Sequence, residues 1–370
     1  MSRWHHDRLP AETSRLLVLA ATALARRGVE HPRQHLFLAV SPPFGEYPGC
    51  GTLLVSRDPF DEATLNRLID HCERMKFRLV VTPRGGSWKE LISALDGDLG
   101  SYIARSQLDL SPPTDDRPFF FCMLRPGTIL LPPGFTDPHE IFGLYLPVIS
   151  LHLLNLGMAL MAIVGTLVVF WWLPRLGLSR RRCGAGIVYF VAIGVGYMLV
   201  EIGVMQRLSV FLGHPTYGIG VGLTVLLVST GVGSLVTGWL AGGGMIRIRW
   251  VRLALLVLIV LIVLIATSIT PLCLRFEGES TAVRCWLAAV LLVPLGLVMG
   301  VPFAAGMRRA GQSASAPLPL FYAANAAASV FGSTLAMLLS LSWGISASLL
   351  GGGVGYCVAW LMVPRLAEDA

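Results

Sequence analysis

The feature that most constrains this chain is a succession of apolar runs that begins near residue 145 and continues almost to the end. A helix needs about 20 mostly apolar residues to cross a bilayer. Backbone polar groups inside lipid must be satisfied within the protein, which favours helices. Seven stretches have the length: 150–173, 185–206, 217–240, 250–271, 284–305, 319–342 and 345–364. The fourth, built on LALLVLIVLIVLIAT, is the cleanest. The sixth starts after the breakers Pro317 and Pro319, and only a tight turn at Trp343-Gly344 separates it from the seventh. Pro294 and Pro302 should kink the fifth, which neighbouring helices can tolerate by satisfying the freed backbone groups. This predicts an α-helical polytopic membrane bundle over residues 149–366, multi-pass in the plasma or inner membrane.

Charge supports that reading. Only 14% of residues are charged and the mean hydropathy is +0.67, whereas a soluble domain carries about a quarter charged residues. The net charge of +7 comes largely from arginines in short loops. Arg175 and Arg180–Arg182 lie in one, Arg247, Arg249 and Arg252 in the next but one, and Arg308 and Arg309 in a third. Alternate loops share one membrane face, and arginine-rich loops are retained in the cytoplasm near anionic lipid. The lipid bilayer is therefore the expected partner, and nucleic acid is not. Seven spans place the N-terminal third outside the cytoplasm, but that third returns to the cytoplasm if the first candidate does not cross.

Residues 1–124 have an ordinary soluble composition, and 125–148 read as a linker. Leu16–Ala25 follows basic residues and ends Ala-Leu-Ala, like a secretory signal. Acidic Glu12 before it and Gly28 after it favour an amphipathic helix from Glu12 to Arg27. HLFLAV (35–40), TLLVS (52–56) and FRLVVT (77–82) read as strands, a helix runs from about Asp58 to Lys76, and Trp88–Ile103 is helical with a break near Gly97. Strands alternating with helices predict a partial α/β, Rossmann-like domain. No Gly-rich turn follows its first strand, so no cofactor-binding residues are assigned. Gly218-Ile219-Gly220-Val221-Gly222 has suitable letters but lies in an apolar run, and is rejected as a cofactor loop. The seven cysteines contain no C-x-x-C pair, so no metal site is expected. Cys273 and Cys285 share one inter-helix region where a disulfide is conceivable.

Several polar residues stand out. Glu201 lies inside the second run, where a carboxylate costs on the order of 2–3 kcal/mol unless it is paired, protonated or hydrated. It reads either as a packing carboxyl or as a proton, cation or polyamine contact. Tyr197 lies one turn before it, and Arg207, six residues on, should face elsewhere and snorkel to the interface. Gln206 and His214 lie near the same end. His152 and Asn155 share a face of the first run, and Asn325 lies beside the small-residue row Ala324, Ala328 and Gly332, which suits helix packing. Asp115-Asp116-Arg117, within PTDDRPFFF (113–121), reads either as a capped turn whose Phe residues dock on the membrane or as a cation-binding acid pair. These residues are expected to form a polar cluster with Glu201.

YMLVEIGVMQRLSVFLGHPTYGIGVGLTVLLVSTGVGSL (197–235) and PTDDRPFFF (113–121) resemble the signature segments of multi-pass membrane proteins with a spermidine-synthase-like domain. SRW (2–4), GTLLVSRDPF (51–60), PLGLVMGVPF (294–303) and ANAAASVFGS (324–333) extend the resemblance over nearly the whole chain. It implies an aminopropyltransferase- or methyltransferase-type fold and polyamines or related cations as ligands. The family's Gly-rich and acidic residues for decarboxylated S-adenosylmethionine or S-adenosylmethionine have no counterpart here. The resemblance therefore implies a C-terminal portion that holds no cofactor itself, is not competent alone, and depends on an N-terminal half or partner chain for an S-adenosylmethionine-type site.

Overall fold

The computed structural model describes residues 1–7, 10–45, 47–125, 150–162, 164–165, 168, 171, 180–242, 247–312 and 317–368. Most of the expected linker lies outside them. The chain forms two compact units, Met1–Thr114 with Phe119–Val148, and Asp115–Pro118 with Ile149–Ala370. The four residues Asp115–Pro118 thus belong with the helices.

The first unit holds β1 (Ser2–His5), α1 (Ala11–Arg26), β2 (Leu36–Val40), β3 (Gly49–Val55), α2 (Glu62–Arg74), β4 (Arg78–Val81), α3 (Lys89–Asp96) and α4 (Leu99–Arg105). The sheet order is β1-β3-β2-β4, and every pairing is antiparallel. This corrects the Rossmann-like expectation, which needs adjacent parallel strands. The turn-rich stretch after β2 folds back as a hairpin into β3. The α2 crossover then brings β4 in with the same direction as β3 but on the far side of β2, so no two neighbours are parallel. β2 is buried along its whole length, as its unbroken apolar sequence requires. Asp61 caps α2 by accepting from the Thr64 N–H at 2.6 Å.

The signal-like stretch is an integral helix. Leu16, Leu17, Ala21 and Leu24 of α1 pack in one core with Leu36, Leu38, Leu53 and Val81. Gly28, at φ 83°, ends α1, with Val29 N–H donating back to the Leu24 carbonyl. Beneath α1, His5 is buried, with Nδ1 2.8 Å from Thr13 Oγ1 and Nε2 3.2 Å from an Arg78 guanidinium nitrogen. Burial, reinforced by Arg78 and opposed by Asp7, lowers the imidazole below its usual 6.5. His5 is therefore neutral in the fold. Its contribution is intact above about pH 6.5 and is lost as pH falls through the lowered folded value. We expect His5→Gln to reduce the drop in thermal midpoint of the first unit between pH 7.5 and pH 5. An unchanged drop would assign the acid sensitivity to other groups.

The second unit contains α5 (Ser150–Ala162), α6 (Arg180–Phe211), α7 (Pro215–Leu240), α8 (Ile248–Arg275), α9 (Thr281–Ala310), α10 (Leu318–Trp343), α11 (Ile345–Met362) and α12 (Arg365–Glu368). Among the described residues, six helices, α6 to α11, are long and apolar enough to cross a membrane. The protein is a multi-pass membrane protein in character. Of the first candidate span, α5 covers thirteen residues, and much of the rest lies outside the described residues. α6 is the hub, packing on α7, α9, α10 and α11, while α7 packs along α9.

Small residues set these contacts. A Cβ at Gly352 would lie 2.6 Å from Val200 Cγ2, and one at Gly332 would lie 3.0 Å from Val195 Cα. Ala328 and Gly332 thus face α6, as the small-residue row predicts. The Gly218–Gly222 letters sit inside α7, where Gly222 faces Met205 and Leu208 of α6. Tyr189, fully buried, donates to the carbonyl of Pro302 at 2.7 Å, so the proline-bearing part of α9 keeps a partner. Cys273 and Cys285 are both free thiols, which removes the disulfide.

Candidate functional site

Two polar centres lie in the helix bundle. The first is at the end where α6 finishes and α11 starts. Gly344 closes α10 and opens α11 with φ 100°, a conformation that glycine adopts without strain. It offers no side chain to cap α11. Asp116 does so from 230 positions earlier in the chain. Its carbonyl accepts from Ile345 N–H at 2.8 Å, and its Oδ1 accepts from Ser346 N–H at 2.8 Å and from Ser346 Oγ at 2.7 Å. These are orphan donors at a positive helix terminus, where a carboxylate is favoured.

Arg207 completes the cluster. Its Nη2 donates to Asp116 Oδ1 at 2.6 Å and to Ser346 Oγ at 2.8 Å, and its Nη1 to the Asp115 carbonyl at 3.3 Å. The Arg207 side chain is 2% exposed and that of Asp116 37%. Arg207 therefore does not snorkel, because the carboxylate and two oxygens replace water around it. A cavity of about 140 Å³ adjoins it, lined by Asp115, Arg207, Phe211, Cys273, Glu277 and Arg284 among others. That is room for roughly four or five waters at ~30 Å³ each. Arg284 donates to the Phe211 carbonyl at 3.0 Å, closing the last turn of α6.

The second centre is Glu201. It lies about 9 Å before Arg207 along α6 at ~1.5 Å per residue, and the cluster of Asp116 and Arg207 does not include it. It shares a stripe with Tyr197 and Met205, and Met205 packs on Gly222 of α7. Glu201 is 5% exposed and lies within electrostatic reach of Tyr197 and Tyr356. No hydrogen bond or ion pair to it forms among the described residues. Asn325 donates to the Phe190 carbonyl of α6 at 2.9 Å and seats against Gly194. Seven residues separate Gly194 from Glu201, so both points fall on one stripe of α6, some 10 Å apart.

The remaining residues have local roles. His214 caps α7, its Nδ1 accepting from Thr216 N–H at 3.2 Å, and is exposed. Gln206 reaches Met337 Sδ at 3.5 Å, while its buried Oε1 has no partner. Asn155 donates to Leu151 one turn back at 2.9 Å, with half-buried His152 on the preceding turn. Arg117, also half-buried, lies in the Asp115–Pro118 segment of the second unit.

Sequence reasoning missed Ser346 and Arg15. Ser346 follows a Trp-Gly turn, the one available signal. Arg15, on α1, is 3% exposed and donates to the carbonyls of Ser111, Phe119, Phe120 and Cys122 at 2.7–3.1 Å, with its guanidinium over Phe120. Its position within an apolar helical run was the available clue. Among the described residues no group of His, Cys, Asp and Glu is placed to hold a metal ion. No family model, curated protein or solved structure matches the chain.

Proposed function

We propose that this chain is a cation-handling membrane protein of the spermidine-synthase-like kind, resident in the plasma or inner membrane, with Glu201 as the contact for the cation. The observation that carries this reading is Glu201, a residue 5% exposed inside the bundle whose carboxyl makes neither a hydrogen bond nor an ion pair among the described residues. A bare carboxylate in that setting is costly, so the group must hold a proton, water or a cation. Arg207 cannot neutralise it, being committed to Asp116. Tyr197 and Tyr356 offer polar, polarisable neighbours. A polyamine or related amine is the cation to which the family resemblance points.

The test is uptake by proteoliposomes of labelled putrescine, alkali cations and protons. Glu201→Gln should lower flux of the transported cation at least tenfold with the chain still folded, and unchanged flux would remove the basis of the proposal.

Catalysis is proposed to need a partner half that supplies the S-adenosylmethionine-type site, as the family resemblance implies. Purified chain given putrescine and decarboxylated S-adenosylmethionine should form no product. Robust turnover would overturn the dependence on a partner.

A further inference from the structure

The end of the bundle opposite Asp116 carries a second feature. α7 and α9 end there and α8 and α10 begin there, and the sequence stretches 174–184, 241–252 and 306–318 contain arginines and no Asp or Glu. Between α7 and α8, with α9 as its floor, runs a groove of about 840 Å³. Val236 and Leu240 form one wall, Leu253 and Val257 the other, and Val298 and Val301 the floor. From Trp250 to Val257 the groove extends some 10 Å along α8 at ~1.5 Å per residue, about a third of a ~30 Å hydrocarbon layer.

The chemistry changes at the mouth. Arg247 and Trp250 line it, and both are exposed. Arg249 stacks its guanidinium 5.6 Å from the Trp250 ring. An apolar trough that opens beside Arg247, Arg249 and Trp250 at the interface matches an amphiphile with an acyl tail and an anionic head.

We infer that this groove is a specific site for one anionic phospholipid, with an acyl chain between α7 and α8 and the headgroup phosphate at Arg247 and Arg249 beside Trp250. Three things select an anionic lipid over a neutral one. The loops at this end are uniformly basic, the guanidinium is suited to phosphate, and no carboxylate in these loops is available to hold the ammonium of a zwitterionic headgroup.

The test is native mass spectrometry of the full chain released from micelles. The chain is titrated with phosphatidylglycerol and, separately, with phosphatidylcholine of the same acyl chains. The wild type should retain one phosphatidylglycerol with a preference of tenfold or more over phosphatidylcholine. Each basic residue near a phosphate contributes about fivefold, so Arg247→Ala with Arg249→Ala should bring the two lipids to near equality. Ala254→Phe fills the trough from α8 without touching the arginines, and should weaken both lipids. Both variants sit on half-buried or exposed positions, and an unchanged thermal midpoint verifies that they fold. Equal binding of the two lipids by the wild type would overturn the proposal, as would a preference that survives the double arginine variant. Retention of glycerol phosphate as tightly as of the intact lipid would also overturn it, because the trough would then contribute nothing.

Discussion

Asp116→Ala should destabilise the helix bundle by roughly 3–5 kcal/mol, because it leaves Arg207 buried without its counter-ion. The asymmetry of the pair makes this test sharper than an ordinary ion-pair deletion. Arg207 is 2% exposed and Asp116 37%. Removing the acid strands a guanidinium whose side chain is only 2% exposed, and it also uncaps Ile345 and Ser346 at the start of α11. Arg207→Met should cost less, since Asp116 keeps its bonds to Ser346 and part of its hydration. The double variant should be more stable than the sum of the two losses implies, because the stranded charge disappears with its partner. Unfolding in detergent, followed by labelling of buried Cys183 on α6, reads all three. Strict additivity would show that the two side chains are energetically independent despite a 2.6 Å contact.

Arg15→Met should unfold the first unit preferentially, at a cost on the order of 3 kcal/mol. One guanidinium serves four carbonyls from residues 111–122. That stretch has little regular structure, so its carbonyls have few other partners. Methionine fills much of the volume beside Leu16 and Leu17 but donates nothing. Arg15→Lys keeps the charge and should recover only part of the loss, because an ammonium lacks the planar fork that reaches several acceptors at once. Limited proteolysis of the 106–125 segment in the folded protein checks this. Equal protection in wild type and Arg15→Met would mean that the segment is held by its aromatic contacts alone.

Six of the seven expected membrane helices were legible to within about five residues at each end. Hydropathy reports directly on the solvent, and the basic loops and Gly344 mark the ends. The pairing of Asp116 with Arg207 was not legible as a pair. Helical spacing relates residues a few positions apart, and these are 91 apart. Both stand out by their charge, but six-residue spacing turns Arg207 away from Glu201, which in the sequence alone points it to the interface. Glu201 was legible as a cost, but the cluster expected around it formed one and a half turns away. The strands of the first unit were found, yet their directions were not. Alternation of strands with helices cannot distinguish a parallel sheet from one in which a hairpin strand, β2, is inserted between β3 and β4. Arg15 escaped notice because a single arginine in an amphipathic helix looks like surface.

The cap on α11 has a consequence for dissecting the chain. A version shortened to start at residue 149 would retain α5 to α12 and still lack a part of the bundle. Its helix α11 would begin with exposed donors, and Arg207 would face an empty seat. Supplying residues 113–119 as a separate peptide should restore what the cut removes. In this protein the boundary of the membrane unit is not a single point in the chain, and its missing piece is four residues long.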